Sequence, residues 1–326
     1  MAGLWTNVEN LTIDGDMPLG PNSLTTGIAA YLYEEYLLSE ETRVQAGLRF
    51  DYNRIHTSPA DNSPDSVFRT LDVSRLSNAL TASLGAVTRL SPEMTLSLSV
   101  ARSFRAPTVQ ELFANGLDAA SATYSKGEAD LLPETGYGVD LSFRARTSSV
   151  TVEVSPYVNV IRSYIYAFLT GDTLQNFPVR QFSATDARLM GFEASVSVQP
   201  AANFAVRGSV DYVNAEDTKS SVPLPFTPPL RGMLSLRYQE RGLWGLMEWR
   251  LADRQTRLGD GDTPTPGYGI LNAGAGVRFA SGGEVHALSV HCDNLFNRLY
   301  RDNLSVIKDF IPQPARGFRL VYDLLF

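Results

Sequence analysis

Side chains able to ligate a metal, attack a bond or shuttle a proton are few in this chain and scattered. It has three histidines and one cysteine. His286 and His291 lie five apart on an alternating stretch, so they point to opposite faces and cannot share a ligand. His56 stands alone in an expected outer loop, where a solvated ring is the ordinary reading. A lone Cys292 excludes an intramolecular disulfide framework and any multi-cysteine metal site. Carboxylates offer more. Asp118, Glu128 and Asp130 fall in one stretch, and Asp302 lies far downstream. A solvated acidic loop competes there with cation capture. The GDGDTP run at 259–264 lacks the alternating acidic spacing and closing glutamate of a calcium loop, so it reads as a turn. Arg180 and Arg188 flank an expected long loop and could meet an anionic cargo or lipopolysaccharide. No nucleophile elbow, phosphate loop or HExxH occurs, and the histidines are too dispersed for acid–base work. The chain reads as a non-enzyme that needs no cofactor.

The elements that would carry these residues are strands. The stretch MTLSLSVARSFRAPTVQELFANG, 94–116, shows the plan. Met94, Leu96, Leu98 and Val100 are apolar, whereas Thr95, Ser97, Ser99 and Ala101 are small or polar, which is period two. Pro107 ends the alternation. Thr108 and Glu111 have capping-box spacing, which predicts a short helix through Leu112 and Phe113, stopped by Asn115-Gly116. About fourteen such strands recur, from 3–13 to 316–326, most of them long enough to cross a bilayer when tilted.

The connections alternate without exception. Tight turns such as Ser39-Glu40 and Arg241-Gly242 are interleaved with long connections at 14–24, 54–76, 105–135, 164–187, 215–227, 256–267 and 295–315. An outer-membrane barrel has this rhythm, with short turns toward the periplasm and long loops outside. The strand faces agree. Asp140, Arg144, Arg146, Glu248 and Arg250 lie on the polar face, while Tyr238, Trp244 and Phe279 near strand ends suit an aromatic girdle. Apolar residues make up 44% of 326 residues, spread at period two with no run long enough for a membrane helix. A net charge of −7 without a basic block gives no support for nucleic-acid binding. The N-terminal MAGLWTNVENLTIDGD lacks the charged and apolar regions of a secretory signal.

Three motifs carry a family resemblance. ARSFRAPTVQELFANG with LLPET at 131–135 resembles the hallmark of TonB-dependent outer-membrane receptors. Its Phe104-Arg105-Ala106-Pro107 turn closes a strand, Glu111 and Leu112 follow, and Pro133-Glu134 opens the next strand. Arg105 and Pro107 there either fix the strand-to-loop turn, Arg105 anchoring a carboxylate or carbonyls, or contact cargo. DNLFNRLYRDN at 293–303 resembles the family's element before the last strand, through Asn294, Leu295, Phe296 and Tyr300. IPQPARGFRLVYDLLF resembles its C-terminus, through Pro312, Pro314, Arg316 and the terminal Phe326, with Ala315 where glycine is usual.

The resemblance implies an all-β, transmembrane, antiparallel up-and-down β-barrel. Residues 1–326 supply about 14 strands of a 22-stranded barrel, with signal, TonB-contacting segment and plug absent. It implies uptake of a scarce nutrient across the outer membrane, partnered by the TonB–ExbB–ExbD complex through the missing N-terminal part, by outer-membrane lipid and lipopolysaccharide, and by the barrel-assembly machinery. Within the family, 164–196 and 303–318 resemble zinc-type receptors. Those tend to carry loop histidines where this chain has Leu117-Asp118 and Asp302-Asn303, which leaves Asp118, Glu128 and Asp302 as the metal candidates and a ferric siderophore as the alternative cargo. A passive 14-stranded channel and a soluble all-β binding protein are the competing readings.

Overall fold

The computed structural model describes residues 1–13, 18–58 and 67–326, so parts of the expected connections 14–24 and 54–76 lie outside the described residues. Fourteen strands follow one another in chain order across a single antiparallel sheet, each hydrogen-bonded to the next. The first five are β1 (Ala2–Leu11), β2 (Asn22–Leu37), β3 (Thr42–Ser58), β4 (Ser74–Ser91) and β5 (Met94–Arg105). The connection after β5 contains helix α1 (Val109–Phe113) and two short strands, β6 (Asn115–Asp118) and β7 (Thr123–Lys126). The wall then resumes with β8 (Glu134–Arg146), β9 (Val150–Leu174), β10 (Phe177–Ala201), β11 (Phe204–Asp217) and β12 (Arg231–Glu240). It ends with β13 (Leu243–Ala252), β14 (Tyr268–Ser281), β15 (Glu284–Asp293) and β16 (Gly317–Leu325). β1 and β16 do not pair with each other, so the sheet stays open between them.

Register explains why alternation produces a wall. Leu98 lies opposite Ala86 on one side and Leu141 on the other. Val290 lies likewise between Ala275 and Leu320. Because side chains repeat every two residues, these positions share one face across the sheet. That face is apolar and bare: Leu84 is 58% exposed and Leu320 69%. An apolar surface this extended is a membrane-facing surface. The opposite face is charged and internally paired. Arg144 meets Glu153 at 2.8 Å, Arg231 meets Asp211 at 2.8 Å, and Arg49 meets Asp51 at 2.7 Å. Asp140, Arg146, Glu248 and Arg250 share the polar face by register.

Three expectations need correction. The stretch 164–187 is not a loop. β9 and β10 run through it as one long hairpin, closed at Gln175 and Asn176, whose φ values of 52° and 67° give the mirror-image turn that suits a twisted hairpin. Arg180 and Arg188 therefore sit on β10 instead of flanking a loop. Trp244 does not belong to a girdle. It shares the polar face with Glu248 and Arg250 and packs at a tilt against His291 with ring centroids 5.6 Å apart. Gly276 makes room for it, since a Cβ there would lie 2.5 Å from the Trp244 indole nitrogen. On the apolar face, Phe279 instead stacks on His286 at 5.1 Å, and the His286 Nδ1 lies 2.7 Å from the Tyr322 hydroxyl. Finally, His56 lies within β3, not in an outer loop, and its Nδ1 is 3.1 Å from the Ser74 hydroxyl.

Candidate functional site

The turns 38–41, 92–93, 147–149, 202–203, 241–242 and 282–283 gather at one end of the sheet, and the long connections, with the tip of the β9–β10 hairpin among them, lie at the other. At the loop end, Arg105 closes β5 and Glu134 opens β8, and the two are register partners. The connection between them thus leaves and returns at one point. Arg105 fastens that point. Its Nε and Nη2 donate to the two Glu134 oxygens at 2.8 and 2.6 Å, and its Nη1 donates to Glu111 at 2.9 Å. Glu134 is buried, and its Oε1 also accepts the Ile165 N–H at 2.7 Å, which brings in the β9–β10 hairpin. Glu111 completes a capping box with Thr108: the Thr108 hydroxyl accepts the Glu111 N–H at 3.2 Å, and Glu111 accepts the Thr108 N–H at 2.7 Å. The capped turn buries Leu112 and Phe113 against Ile55, Leu131 and Ile165. The helix ends at Phe113, and Asn115-Gly116 starts β6 where a plain stop was expected. β7 then adds to β10 in parallel, Tyr124 opposite Val179.

The candidate metal ligands fall on separate elements. Asp118 ends β6, and its Oδ1 accepts the Ala120 and Ser121 N–H groups at 3.0 and 3.4 Å, an Asx-type turn. It also stands within electrostatic reach of Arg180. Glu128 accepts the Asp130 N–H at 3.3 Å. Asp302 lies in the last long connection, where it accepts the Tyr268 hydroxyl at 3.3 Å and the Leu304 N–H at 2.9 Å. Among the described residues, no three His, Cys, Asp or Glu side chains are gathered into a group that could hold a metal ion.

The motif after β15 folds around two asparagines. Asn294 and Asn297 adopt φ of 50° and 52°, the left-handed region that asparagine tolerates. Buried Asn294 accepts the Arg298 N–H at 2.8 Å and donates to the Arg298 and Pro314 carbonyls, and Asn297 accepts the Arg316 N–H at 3.0 Å. Leu295 donates its N–H to the Leu271 carbonyl, and Gln313, between Pro312 and Pro314, donates to the Tyr300 carbonyl. Tyr300 packs on Tyr268 with ring centroids 4.6 Å apart. Burial raises the Tyr300 phenol above its ordinary pKa, and the Arg250 charge partly offsets this, so the hydroxyl stays protonated at neutral pH. Phe296, Leu299 and Phe310 are exposed around this mouth.

Sequence reasoning missed the buried polar centre of the loop end. Asp262, read only as part of a turn, is buried beside Lys308. Nothing in the sequence flags Lys308, a lone lysine in a mixed loop. The GDGD turn itself is a junction. Gly261 has φ of 70°, and a Cβ there would lie 2.6 Å from the Leu169 carbonyl oxygen on the β9–β10 hairpin. Gly259 is pressed as closely against Pro225. Gly261→Ala is expected to destabilise the loop end by roughly 1–2 kcal/mol from the left-handed conformation alone, with the clash added. Protease nicking of 253–267 in membrane-inserted protein should rise; an unchanged rate would mean that the junction carries no load.

An antiparallel sheet with a bare apolar face, a charged inner face, short turns at one end and interlocked loops at the other is the wall of a receptor-type membrane β-barrel. Residues 5–295 match the family model described as TonB dependent receptor-like, beta-barrel, and the chain belongs to that family. Solved structures share the fold. The copper transporter OprC superimposes with a TM-score of 0.80 at 21% identity, covering 93% of this chain and 50% of its own. The ferric-catecholate import receptor Fiu from E. coli K12 gives 0.68 at 18%, covering 99% of this chain and 50% of its own. The ferric yersiniabactin uptake receptor FyuA from Yersinia pestis gives 0.64 at 16%, covering 94% and 46%. This chain therefore spans about half the length of these structures.

Proposed function

We propose that this chain forms part of the barrel of an outer-membrane receptor that takes up a metal chelate, such as a ferric siderophore, in preference to a bare metal ion. The observation that carries the cargo class is the state of the loop carboxylates. Asp118 is engaged by backbone N–H groups, and Asp302 is engaged by a phenol and a backbone N–H. A divalent ion would have to displace those partners. Tyr268 and Tyr300 instead pack ring on ring at the loop end, with centroids 4.6 Å apart, which suits a ring-bearing chelate.

The wall closes, in this reading, by pairing the open edges of β1 and β16 with further strands, because an unpaired edge in lipid leaves backbone groups unsatisfied. The TonB–ExbB–ExbD complex acts through parts of the receptor beyond these residues. Lipopolysaccharide and lipid cover the apolar face, and the alternating last strand ending at Phe326 is the handle for the barrel-assembly machinery. The full-length receptor titrated in detergent should quench its tryptophan fluorescence with a ferric catecholate and show no saturable response to zinc alone. Stoichiometric zinc binding would overturn the cargo assignment and return Asp118, Glu128 and Asp302 to the role of ligands.

A further inference from the structure

Three long connections at the loop end meet at one buried ion pair. They are 218–230 between β11 and β12, 253–267 between β13 and β14, and 294–316 between β15 and β16. The Lys308 side chain is 4% exposed and that of Asp262 1%. All three ammonium protons are used: Lys308 Nζ donates to Asp262, to the Thr263 carbonyl at 2.8 Å and to the Asn303 Oδ1 at 2.8 Å. Asp262 is equally committed, since it also accepts the Thr263 and Phe226 N–H groups at 2.8 and 3.2 Å. The first of these connections is drawn in by three more contacts. The Thr227 carbonyl accepts the Asn303 amide at 2.9 Å and the Gln255 amide, and Lys308 Nζ lies 5.9 Å from the Phe226 ring centroid.

A buried pair whose every donor and acceptor is satisfied is costly to open, because removing either partner leaves an uncompensated charge in a low-dielectric site. Each of the three connections supplies part of the shell: Phe226 and Thr227 from the first, Asp262 and Thr263 from the second, Asn303 and Lys308 from the third. No single connection can swing away without stripping the other two of hydrogen bonds. We propose that these three loops form one locked body that opens only as a unit, with Lys308 and Asp262 as its clasp. Cargo then meets a wall fixed before it arrives, and the ordering cost of binding is reduced. The inference does not depend on which cargo is carried.

Hydrogen exchange by mass spectrometry on the membrane-inserted protein tests it. In the unaltered protein the three segments should exchange slowly and at a common rate. Lys308→Met should accelerate all three together, by at least about 100-fold, while 105–135, which has its own apolar core, stays as it was. Asp262→Asn keeps the side-chain volume and should give the same coupled response, so a folding defect particular to the lysine variant leaves the test intact. Acceleration confined to 294–316, no acceleration in either variant, or three unequal rates in the unaltered protein would overturn the proposal.

Discussion

Arg105→Ala is expected to unfasten the 106–133 connection while leaving the wall of strands assembled. The guanidinium is the one cation between two carboxylates, with Glu111 and Glu134 side chains only 13% and 11% exposed. Removing one partner of a fully buried pair costs about 3–5 kcal/mol. The Arg105 side chain is 41% exposed, so solvent screens part of the loss. We therefore expect about 2–3 kcal/mol, a rise on the order of 100-fold in the open population of the connection. Arg105→Lys should fall between, because an ammonium cannot offer the planar fork that reaches both carboxylates. Cleavage by an added protease in outer-membrane vesicles reads the open population, and heat-modifiable gel mobility reads the barrel. Equal cleavage of the alanine variant and the unaltered protein would mean that the apolar cluster around Leu112 and Phe113 holds the connection alone.

Leu98→Arg and Ser99→Arg are expected to part company although the positions are adjacent. Leu98 faces lipid between Ala86 and Leu141, and a basic side chain at mid-depth costs about 2–4 kcal/mol. Ser99 faces inward opposite Asp140, where an arginine gains a cross-strand carboxylate. The first variant should lose most of its assembled, heat-modifiable form, and the second should keep it. Equal behaviour would contradict the assignment of faces on which the whole wall rests.

The wall strands were legible because their signal is local. Alternation over some ten residues placed every one of the fourteen, with most ends within a few residues, since lipid outside and water inside act on each strand alike. Where another demand intervened, the reading slipped. At 164–187 the pattern breaks at Ser163, whose φ of 54° marks an irregularity, and β9 continues beyond it with its faces reset. The type of Trp244 and its place near a strand end suggest a girdle, whereas its parity with Glu248 and Arg250 turns it inward over Gly274 and Gly276. Thr108 and Glu111 were readable because a capping box spans three residues. Arg105 was readable as an anchor in kind, but its partners were not, since Glu134 lies 29 residues away.

The amino-acid sequence by itself determined the two-faced strands, their up-and-down order, the capped turn after Pro107 and the family. Each is written in spacings of two to a few residues, where side-chain periodicity and backbone preference act directly. Only the tertiary structure decided how the loop end is held. Lys308 meets Asp262 across 46 residues, and Asn303 reaches Thr227 across 76. Such contacts depend on which strands are neighbours and how far each connection leans over the next. A buried lysine and a solvated one look alike in a sequence, because burial belongs to the assembled loops and not to the residue.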